Sequence, residues 1–508
     1  MTPTGSVWLV GAGPGDPGLF TLRGRELLGR AAAVVFDHLA NPSLLDFAAP
    51  GAELIYVGKQ AGRHSLKQDE INELLVRLAG EGKNVCRLKG GDPFIFGRGG
   101  EEALALAEHG VPFEIVPGIS AASAVPAYAG VPVTHRGFAA CFGAVTGHED
   151  PTKETSDLDW PSLAAWQGTL VFFMGVKNLA ENLGQLIAHG LAPDTPAALI
   201  RNGTLPSQRT IVGAASDLAA KAAAAGFAPP ALLVVGKVVA LRDRINWFET
   251  RPLFGRKVVV TRARQQASEM SARLAALGAD VIEMPAIRIA PPADAAPLDA
   301  AAARLASYDW VVLTSVNGVD ALFAAMGRAG KDARSFGAAR VCAIGPATAE
   351  RLALHGICAD LVPEKFVAEE LLAELLRRNE AAGKKFLLAR ADIARPMLRD
   401  ELQKAGATVE EVEAYRTLAE APDPARRDDA AGAEIVTFAS SGAVRNFAAA
   451  LGPERLARLR ERARLVSIGP VTSQTMNELG LPVAAEAARS TIPALVDAVV
   501  NTAKEMQR

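Results

Sequence analysis

Cysteine and histidine are scarce and scattered along the 508 residues of this sequence. The four cysteines, Cys86, Cys141, Cys342 and Cys358, show neither CxxC nor metal-ligand spacing, so they read as reduced, buried thiols and not as disulfides or a zinc site. The seven histidines are equally dispersed, and no metal is expected. Also missing is an uninterrupted apolar run of about 18 residues, the length that a membrane-spanning helix needs. The opening MTPTGSVWLV lacks the basic region, apolar region and cleavage site of a signal peptide. A cytoplasmic enzyme with no membrane partner is expected. An excess of one charge is lacking too. The formal net charge of −2 argues against a general nucleic-acid binder, although it leaves room for local basic clefts. What remains is ordinary for a globular chain, with 49% apolar and 22% charged residues. The length exceeds one compact core, so two or more domains are expected.

The stretch VGAGPGDPG, Val10–Gly18, follows the apolar run Val7–Val10 and has the outline of a dinucleotide-binding turn. That fingerprint needs G-x-G-x-x-G opening a helix, so that free N–H groups meet a pyrophosphate. Here the glycines fall at Gly11, Gly13 and Gly15, with prolines at Pro14 and Pro17. Each proline removes an N–H and fixes φ, which suits a rigid, extended loop and spoils a phosphate cradle. A nicotinamide-dependent oxidoreductase fails on this ground, and a different ligand is expected.

Apolar, strand-like runs alternate with alanine-rich helical stretches from end to end: VWLV, AAVVF, NVCRL, PFEIV, TLVFF and ALLVVG, then KVVVT, WVVLT, RVCAIG, KFLLA, EIVTF and RLVSIG. The alternation predicts α/β architecture with largely parallel sheets. A fresh α/β series starts at Lys257, which puts the boundary near Thr250–Phe254. The second half contains an internal echo. DWVVLTSVNGVDALF (Asp309–Phe323) followed by ARVCAIGPATAERL (Ala339–Leu352) is matched by AEIVTFASSGAVRNF (Ala433–Phe447) followed by ARLVSIGPVTSQTM (Ala463–Met476). Ile344 and Ile468 lead the two IGPxT copies, 124 residues apart. That period is too long for a solenoid and fits two similar lobes facing a cleft. AYRT (Ala414–Thr417) stands between the copies, where a connection between lobes would pass.

Three glycine-bearing loops mark the first half: the opening loop, LKGGDPFIFGRGGEE (Leu88–Glu102) and VPGISAASAVPAYAGVPVTHRG (Val116–Gly137). Alone, Gly-Gly-Asp-Pro is a tight turn. Together with VVFDHL, VGKQAGRHSLKQDEINELL, VTGHED, LVFFMGVKNL, RNGTLPSQRTIVG and PPALLVVGKVV, these blocks resemble uroporphyrinogen-III C-methyltransferase, a tetrapyrrole methylase, from residue 5 to 248. The resemblance implies a two-domain α/β methylase, usually dimeric, that holds S-adenosyl-L-methionine folded in a cleft between domains. Pro14, Gly90, Gly91, Asp92, Ile95, Ser120, Ala121, Met174 and Gly203 match its donor-contacting positions. Small residues and turn backbone allow close approach, and Ile95 and Met174 offer apolar contact. Asp92 accepts hydrogen bonds from the donor in this reading; its other reading is a turn cap.

The implied reaction methylates uroporphyrinogen III twice, giving precorrin-2, with S-adenosyl-L-homocysteine as the second product. A ring proton must be lost as carbon attacks the methyl group. Asp37 and Lys59 match the proposed base and acid, although a lysine serves equally to bind a substrate carboxylate. Arginines suit a polycarboxylate substrate, and Arg63, Arg98, Arg136 and Arg201 lie in or beside the matched blocks; some of them fit a dimer interface instead. Two departures are mild: Phe36 stands where tyrosine is frequent and Ser120 where threonine is common.

Residues 256–508 resemble uroporphyrinogen-III synthase through VVVTR (Val258–Arg262), LTSVNGV, AIGPATA, EAYRT, FASSGAV, SIGPVTS and STIPALVDAV. This family cyclises hydroxymethylbilane with inversion of the last ring, and the resemblance implies no cofactor. Catalysis is then chiefly a matter of orientation, with some help for departing hydroxide. Tyr415 matches the tyrosine proposed to assist that departure; a packed tyrosine at the lobe junction is the alternative. Ser315, Asn317, Thr348, Ser440, Ser441 and Thr472 would hold substrate carboxylates, with Arg262, Arg390 and Arg395 as charge partners. The expected organisation is therefore residues 1–250 as methylase, 251–255 as linker and 256–508 as synthase, in lobes 256–289 plus 418–508 and 290–415. The expectation is a bifunctional enzyme whose halves run consecutive reactions; a methylase carrying a non-catalytic tetrapyrrole-binding module is the alternative.

Overall fold

In the computed structural model, the described residues are 4–58, 66–148, 156–261, 264–284, 287–392, 396–419 and 424–506. The apolar run that opens the sequence becomes β1 (Val7–Gly11), whose five residues are all buried. Val7 and Leu9 enter one core while Trp8 and Val10 enter another, as the period-two alternation of a strand requires. With β2 (Ala33–Phe36), β3 (Glu53–Tyr56), β4 (Val85–Lys89) and β5 (Phe113–Val116) it forms a parallel sheet ordered β3-β2-β4-β1-β5. A parallel sheet buries both faces. Helices Gln68–Gly80 and Gly99–Glu108 supply Leu75, Leu78 and Leu106 to one side, and helix Leu22–Leu28 supplies Leu27 and Leu28 to the other.

The second sheet departs from the parallel expectation. It contains β6 (Phe142–Thr146), β7 (Thr169–Phe173), β8 (Pro196–Arg201), β9 (Arg209–Ala214) and β10 (Ala231–Val235), ordered β6-β7-β10-β8-β9. Only β6 and β7 pair parallel; β10 runs antiparallel to both its neighbours, as does β9 to β8. The loop 202–208 between β8 and β9 is too short for the crossover that parallel strands demand. Residues 251–255, read as a linker, are folded into turns instead. Leu253 is fully buried, and the ring of Phe254 packs edge-on against Phe248.

Two compact units are present, one of residues up to Lys257 with Leu274–Asp280 and the C-terminal residues from Ala503, the other of Val258–Arg273 and Val281–Thr502. In the synthase-like half the strands are β11 (Lys257–Val260), β12 (Asp280–Glu283), β13 (Ile287–Ala290), β14 (Trp310–Leu313), β15 (Arg340–Ala343), β16 (Lys385–Ala391), β17 (Thr408–Ala419), β18 (Ile435–Phe438), β19 (Arg464–Ser467) and β20 (Val483–Glu486). They make two sheets, β12-β11-β18-β19-β20 and β13-β17-β16-β14-β15. The chain leaves the first sheet after β12 and returns to it at β18. β13 and β17 pair antiparallel from Ile287–Ala419 to Ala290–Arg416, so the inserted sheet starts at Ile287 and runs to Ala419, a little outside the 290–415 read from sequence. AYRT is thus no simple connector: it lies inside β17, bonded to β13 on one side and β16 on the other.

Cysteine burial is only half as expected. Cys86 and Cys342 sit in strands with no exposed surface, whereas Cys141 and Cys358 are exposed. Desolvation pushes both buried thiols up to about 12, which keeps them protonated and unreactive. A thiol-specific reagent at mildly alkaline pH is expected to label Cys141 and Cys358 in native protein and all four cysteines only after denaturation. Labelling of Cys86 in the native state would contradict this packing.

Candidate functional site

The loops after β1, β4 and β5 leave the same, C-terminal edge of the first sheet, where open α/β sheets place ligands. Gly13 and Gly91 join two of these loops through paired backbone bonds, Gly91 N to Gly13 O at 2.7 Å and Gly13 N to Gly91 O at 3.1 Å. The third loop is in van der Waals contact: a Cβ on Gly11 would lie 2.5 Å from Gly118 Cα, and one on Gly118 would strike the Gly91 carbonyl. Gly118→Ala is therefore expected to part the loops and to cost about 1–3 kcal/mol in thermal unfolding. A wild-type melting temperature would refute the close approach.

Asp92 joins the same loops. Its Oδ1 accepts from Phe94 N at 2.8 Å and its Oδ2 from Gly118 N at 3.0 Å, so the turn-cap role is present, and each oxygen keeps a second lone pair for a ligand. Ser120 caps the helix Ala121–Tyr128, accepting from Ala122 N at 3.2 Å, which puts Ala121 in the first turn. Gly90 lies against Leu39, where any side chain would collide. The second sheet's loops meet this cluster. Asp16 N donates to Thr204 Oγ1 at 3.0 Å, Asp16 Oδ2 accepts from Tyr128 OH at 2.7 Å, and Gly203 packs on Val125. Pro14 stands between the paired Gly13 and Gly15, whose carbonyl accepts from Asn41 Nδ2 at 2.7 Å. Ile95 is 40% and Met174 53% exposed, apolar surface left free beside these loops. Of the six non-glycine residues with positive φ among the described residues, Phe96, Arg98, Met174, Asn202 and Thr204 lie in these loops. Strain of this kind collects where a ligand dictates backbone shape.

Asp37 follows β2 at the same edge, next to β4. Its Oδ1 accepts from Leu39 N at 3.0 Å, and its Oδ2 lies 3.3 Å from Arg87 Nη2. Arg98 is exposed and paired with Glu101 at 2.6 Å; Arg136 is exposed in the turn closed by His135 and Ala139. Arg201 ends β8, and its Nε is buried with no partner among the described residues. Lys59, Arg63, Arg262 and Arg395 lie outside the described residues. Sequence reading missed Arg87, Lys89 and Glu102, which form a buried charge cluster beneath the β4 loop. Their signal was three charged residues within a strand and the helix turn packed on it.

In the inserted sheet, Ser315 follows β14 and caps the helix Val316–Arg328 by accepting from Gly318 N at 3.0 Å. The same Oγ lies 3.0 Å from the Tyr415 hydroxyl, so a strand-end turn and the β17 tyrosine meet in one place. Ser440 repeats the cap in the other lobe, accepting from Ala443 N at 3.2 Å, while Ser441 donates to Val471 O at 3.1 Å. Three expected substrate residues are placed otherwise. Thr348 and Thr472 are each only 4% exposed in the first turns of their helices, turned into packing. Arg390 is also 4% exposed and ion-paired with Glu411, because β16 points it across to β17. Asn317 instead lines a cleft of about 1030 Å³ whose cations, Lys331, Arg334 and Arg351, the sequence reading did not single out; His355 lines it too, and Arg334 and Arg351 pair there with Asp332 and Asp320. Among the described residues no three or more His, Cys, Asp or Glu side chains form a metal-holding group, and no helix is long and apolar enough to cross a membrane.

Residues 6–219 match the family Tetrapyrrole (Corrin/Porphyrin) Methylases, and residues 268–497 match Uroporphyrinogen-III synthase HemD. A Porphyrin biosynthesis protein HemD of Ruminiclostridium josui is 37% identical over 506 residues, 98% of each chain. An S-adenosyl-L-methionine-dependent uroporphyrinogen III methyltransferase of Methanosarcina barkeri is 54% identical over 239 residues, 47% of this chain and 94% of its own. A solved uroporphyrin-III C-methyltransferase of Thermus thermophilus, complexed with S-adenosyl homocysteine, is 40% identical, with a TM-score of 0.40 over 47% of this chain and 100% of its own. The chain spans about half the length of the curated sirohaem synthases that it also matches. Full-length similarity to one relative, with a separate family match in each half, shows that this chain belongs to the tetrapyrrole methylases and to the uroporphyrinogen-III synthases, joined in one polypeptide.

Proposed function

We propose that the synthase half closes hydroxymethylbilane to uroporphyrinogen III with inversion of ring D, and that the methylase half methylates this product at C2 and C7 to give precorrin-2. The observation that supports the methylase assignment best is the junction of Gly11, Gly91 and Gly118, with strained and apolar residues around it. S-adenosyl-L-methionine supplies an electrophilic methyl group on a cationic sulfonium. Gly90 and Gly91 give it backbone without side chains, Ile95 and Met174 cover it with apolar surface, and Pro14, Asp92, Ser120, Ala121 and Gly203 complete the pocket. Asp37, held by Arg87 and the Leu39 N–H, takes the proton lost from the ring carbon. Arg98, Arg136 and Arg201 meet substrate carboxylates, and Arg201 brings a buried Nε whose partner is then an anion.

In the synthase half Tyr415 donates to the departing hydroxyl, oriented by Ser315 at 3.0 Å. Asn317 and the cations of the adjoining cleft receive carboxylate arms, while Ser440 and Ser441 hold others at the second lobe's matching turn. No cofactor is needed for this cyclisation. Exposed apolar side chains of the methylase half, among them Phe94, Phe142 and Trp166, are consistent with a homodimer in the cytoplasm. The reading is tested by supplying uroporphyrinogen III and S-adenosyl-L-methionine anaerobically and locating the methyl groups by mass spectrometry and NMR. Methylation at other ring positions would assign the half to a different tetrapyrrole methylase.

A further inference from the structure

Two members of the charge cluster beneath the β4 loop, Lys89 and Glu102, have no place in the reaction as described so far. β4 directs Arg87 and Lys89 to the same face as Val85, toward the layer of helices Gln68–Gly80 and Gly99–Glu108, and both are buried. Glu102, in the first turn of the second helix, has no exposed surface. Its Oε1 accepts from Lys89 Nζ at 2.6 Å, from Arg87 Nε at 3.2 Å and from Gln68 Nε2 at 3.2 Å. Its Oε2 has no partner among the described residues. Such a cluster is poor evidence of stabilisation, because desolvating its ions costs several kcal/mol that packed apolar side chains would not. A reason other than stability is called for.

That reason lies one residue further on. Arg87 Nη2 reaches Asp37 Oδ2 at 3.3 Å, and its Nη1 donates to the carbonyls of Val35 at 3.4 Å and Leu88 at 3.2 Å. The guanidinium is a rigid planar fork, so fixing Nε on Glu102 also fixes the direction of Nη2. We propose that Glu102 is a positioning residue for methyl transfer: with Lys89 beside it, Glu102 locks the Arg87 guanidinium, which holds the Asp37 carboxylate at the edge of the donor loops. The inference rests on Asp37 being the proton acceptor. Burial, and then the neighbouring Arg87, pull the Lys89 ammonium below its ordinary pKa. Arg87 is the cluster's cation that reaches Asp37, and its planar fork gives that contact a fixed direction.

The test uses the full chain with uroporphyrinogen III and S-adenosyl-L-methionine. Glu102→Gln keeps the size of the side chain and removes its charge. It is expected to lower kcat for methylation by about tenfold to a hundredfold through misplacement of Asp37, with KM for uroporphyrinogen III and calorimetric donor affinity unchanged. In an Asp37→Asn background the same change is expected to cause no further loss, since both act through one carboxylate. A purely structural role would reduce the yield of folded protein and leave kcat per folded molecule intact. If Glu102→Gln does not accumulate as folded protein, Arg87→Lys replaces it: the charge stays, the fork is lost, and the same kcat loss and non-additivity are expected. Asp37→Asn without activity beside a fully active Glu102→Gln or Arg87→Lys overturns this inference alone, as do equal losses in both backgrounds. Wild-type methylation by Asp37→Asn overturns both the inference and the base assignment beneath it.

Discussion

Asp37→Asn is expected to lose methylation by about 10²–10⁴-fold, the range over which a positioned general base contributes. Asparagine can still accept from Leu39 N through its carbonyl oxygen, so the turn after β2 survives. It cannot take a ring proton, and it leaves Arg87 facing a neutral amide. The loops after β1, β4 and β5, proposed to hold the donor, touch this turn only where Gly90 packs on Leu39, and asparagine keeps the Leu39 N bond. Calorimetry should therefore return a wild-type dissociation constant for S-adenosyl-L-methionine. Joint loss of donor binding and turnover would mean that Asp37 maintains the pocket and not the chemistry.

Tyr415→Phe is expected to slow formation of isomer III by about a hundredfold, the usual consequence of removing one donor to developing negative charge. The uncatalysed closure of hydroxymethylbilane to isomer I then gains ground, so the isomer ratio is the readout. Removal of the hydroxyl deletes the 3.0 Å contact with Ser315. Ser315 keeps its cap on Gly318 N, and the β17 backbone still pairs on both sides. Stability should fall by no more than about 1 kcal/mol, the net worth of one hydrogen bond. An unchanged isomer ratio would make Tyr415 a packing residue at the junction of strands.

Twelve strands were legible because continuous apolar runs suit strands buried on both faces, as β1, β14 and β18 are. Of those not read, β3, β6, β9, β12, β13 and β20 lie at sheet edges. Short edge strands such as ELIY and VAAE have no fully buried residue and carry little continuous apolar signal. β17 was hidden for another reason: Glu410, Glu411 and Glu413 interrupt its apolar residues. In the fold Glu410 takes Arg304 and Tyr308, Glu411 takes Arg390 and Arg399, and Glu413 accepts from Ala293 N.

The three glycine loops at strand ends were legible as a group, and their close backbone contact is seen in the fold; their reading as donor loops came from the family resemblance. The Arg87, Lys89 and Glu102 cluster was not legible, because it depends on the helix Gly99–Glu108 packing over β4, and its link to Asp37 depends on β2 lying beside β4. The burial of Arg390, read as a charge partner for substrate, was hidden for a similar reason. Its neighbour Glu411 is close in the sheet and distant along the chain.

The measurement that bears most directly on two activities in one chain starts from fresh hydroxymethylbilane, anaerobically, with and without S-adenosyl-L-methionine. Isomer III without donor, and its dimethylated product with donor, is the expected result. Isomer I alone without donor, together with methylation of separately supplied uroporphyrinogen III, would contradict the account and leave the second half as a tetrapyrrole-binding module or an inactive synthase.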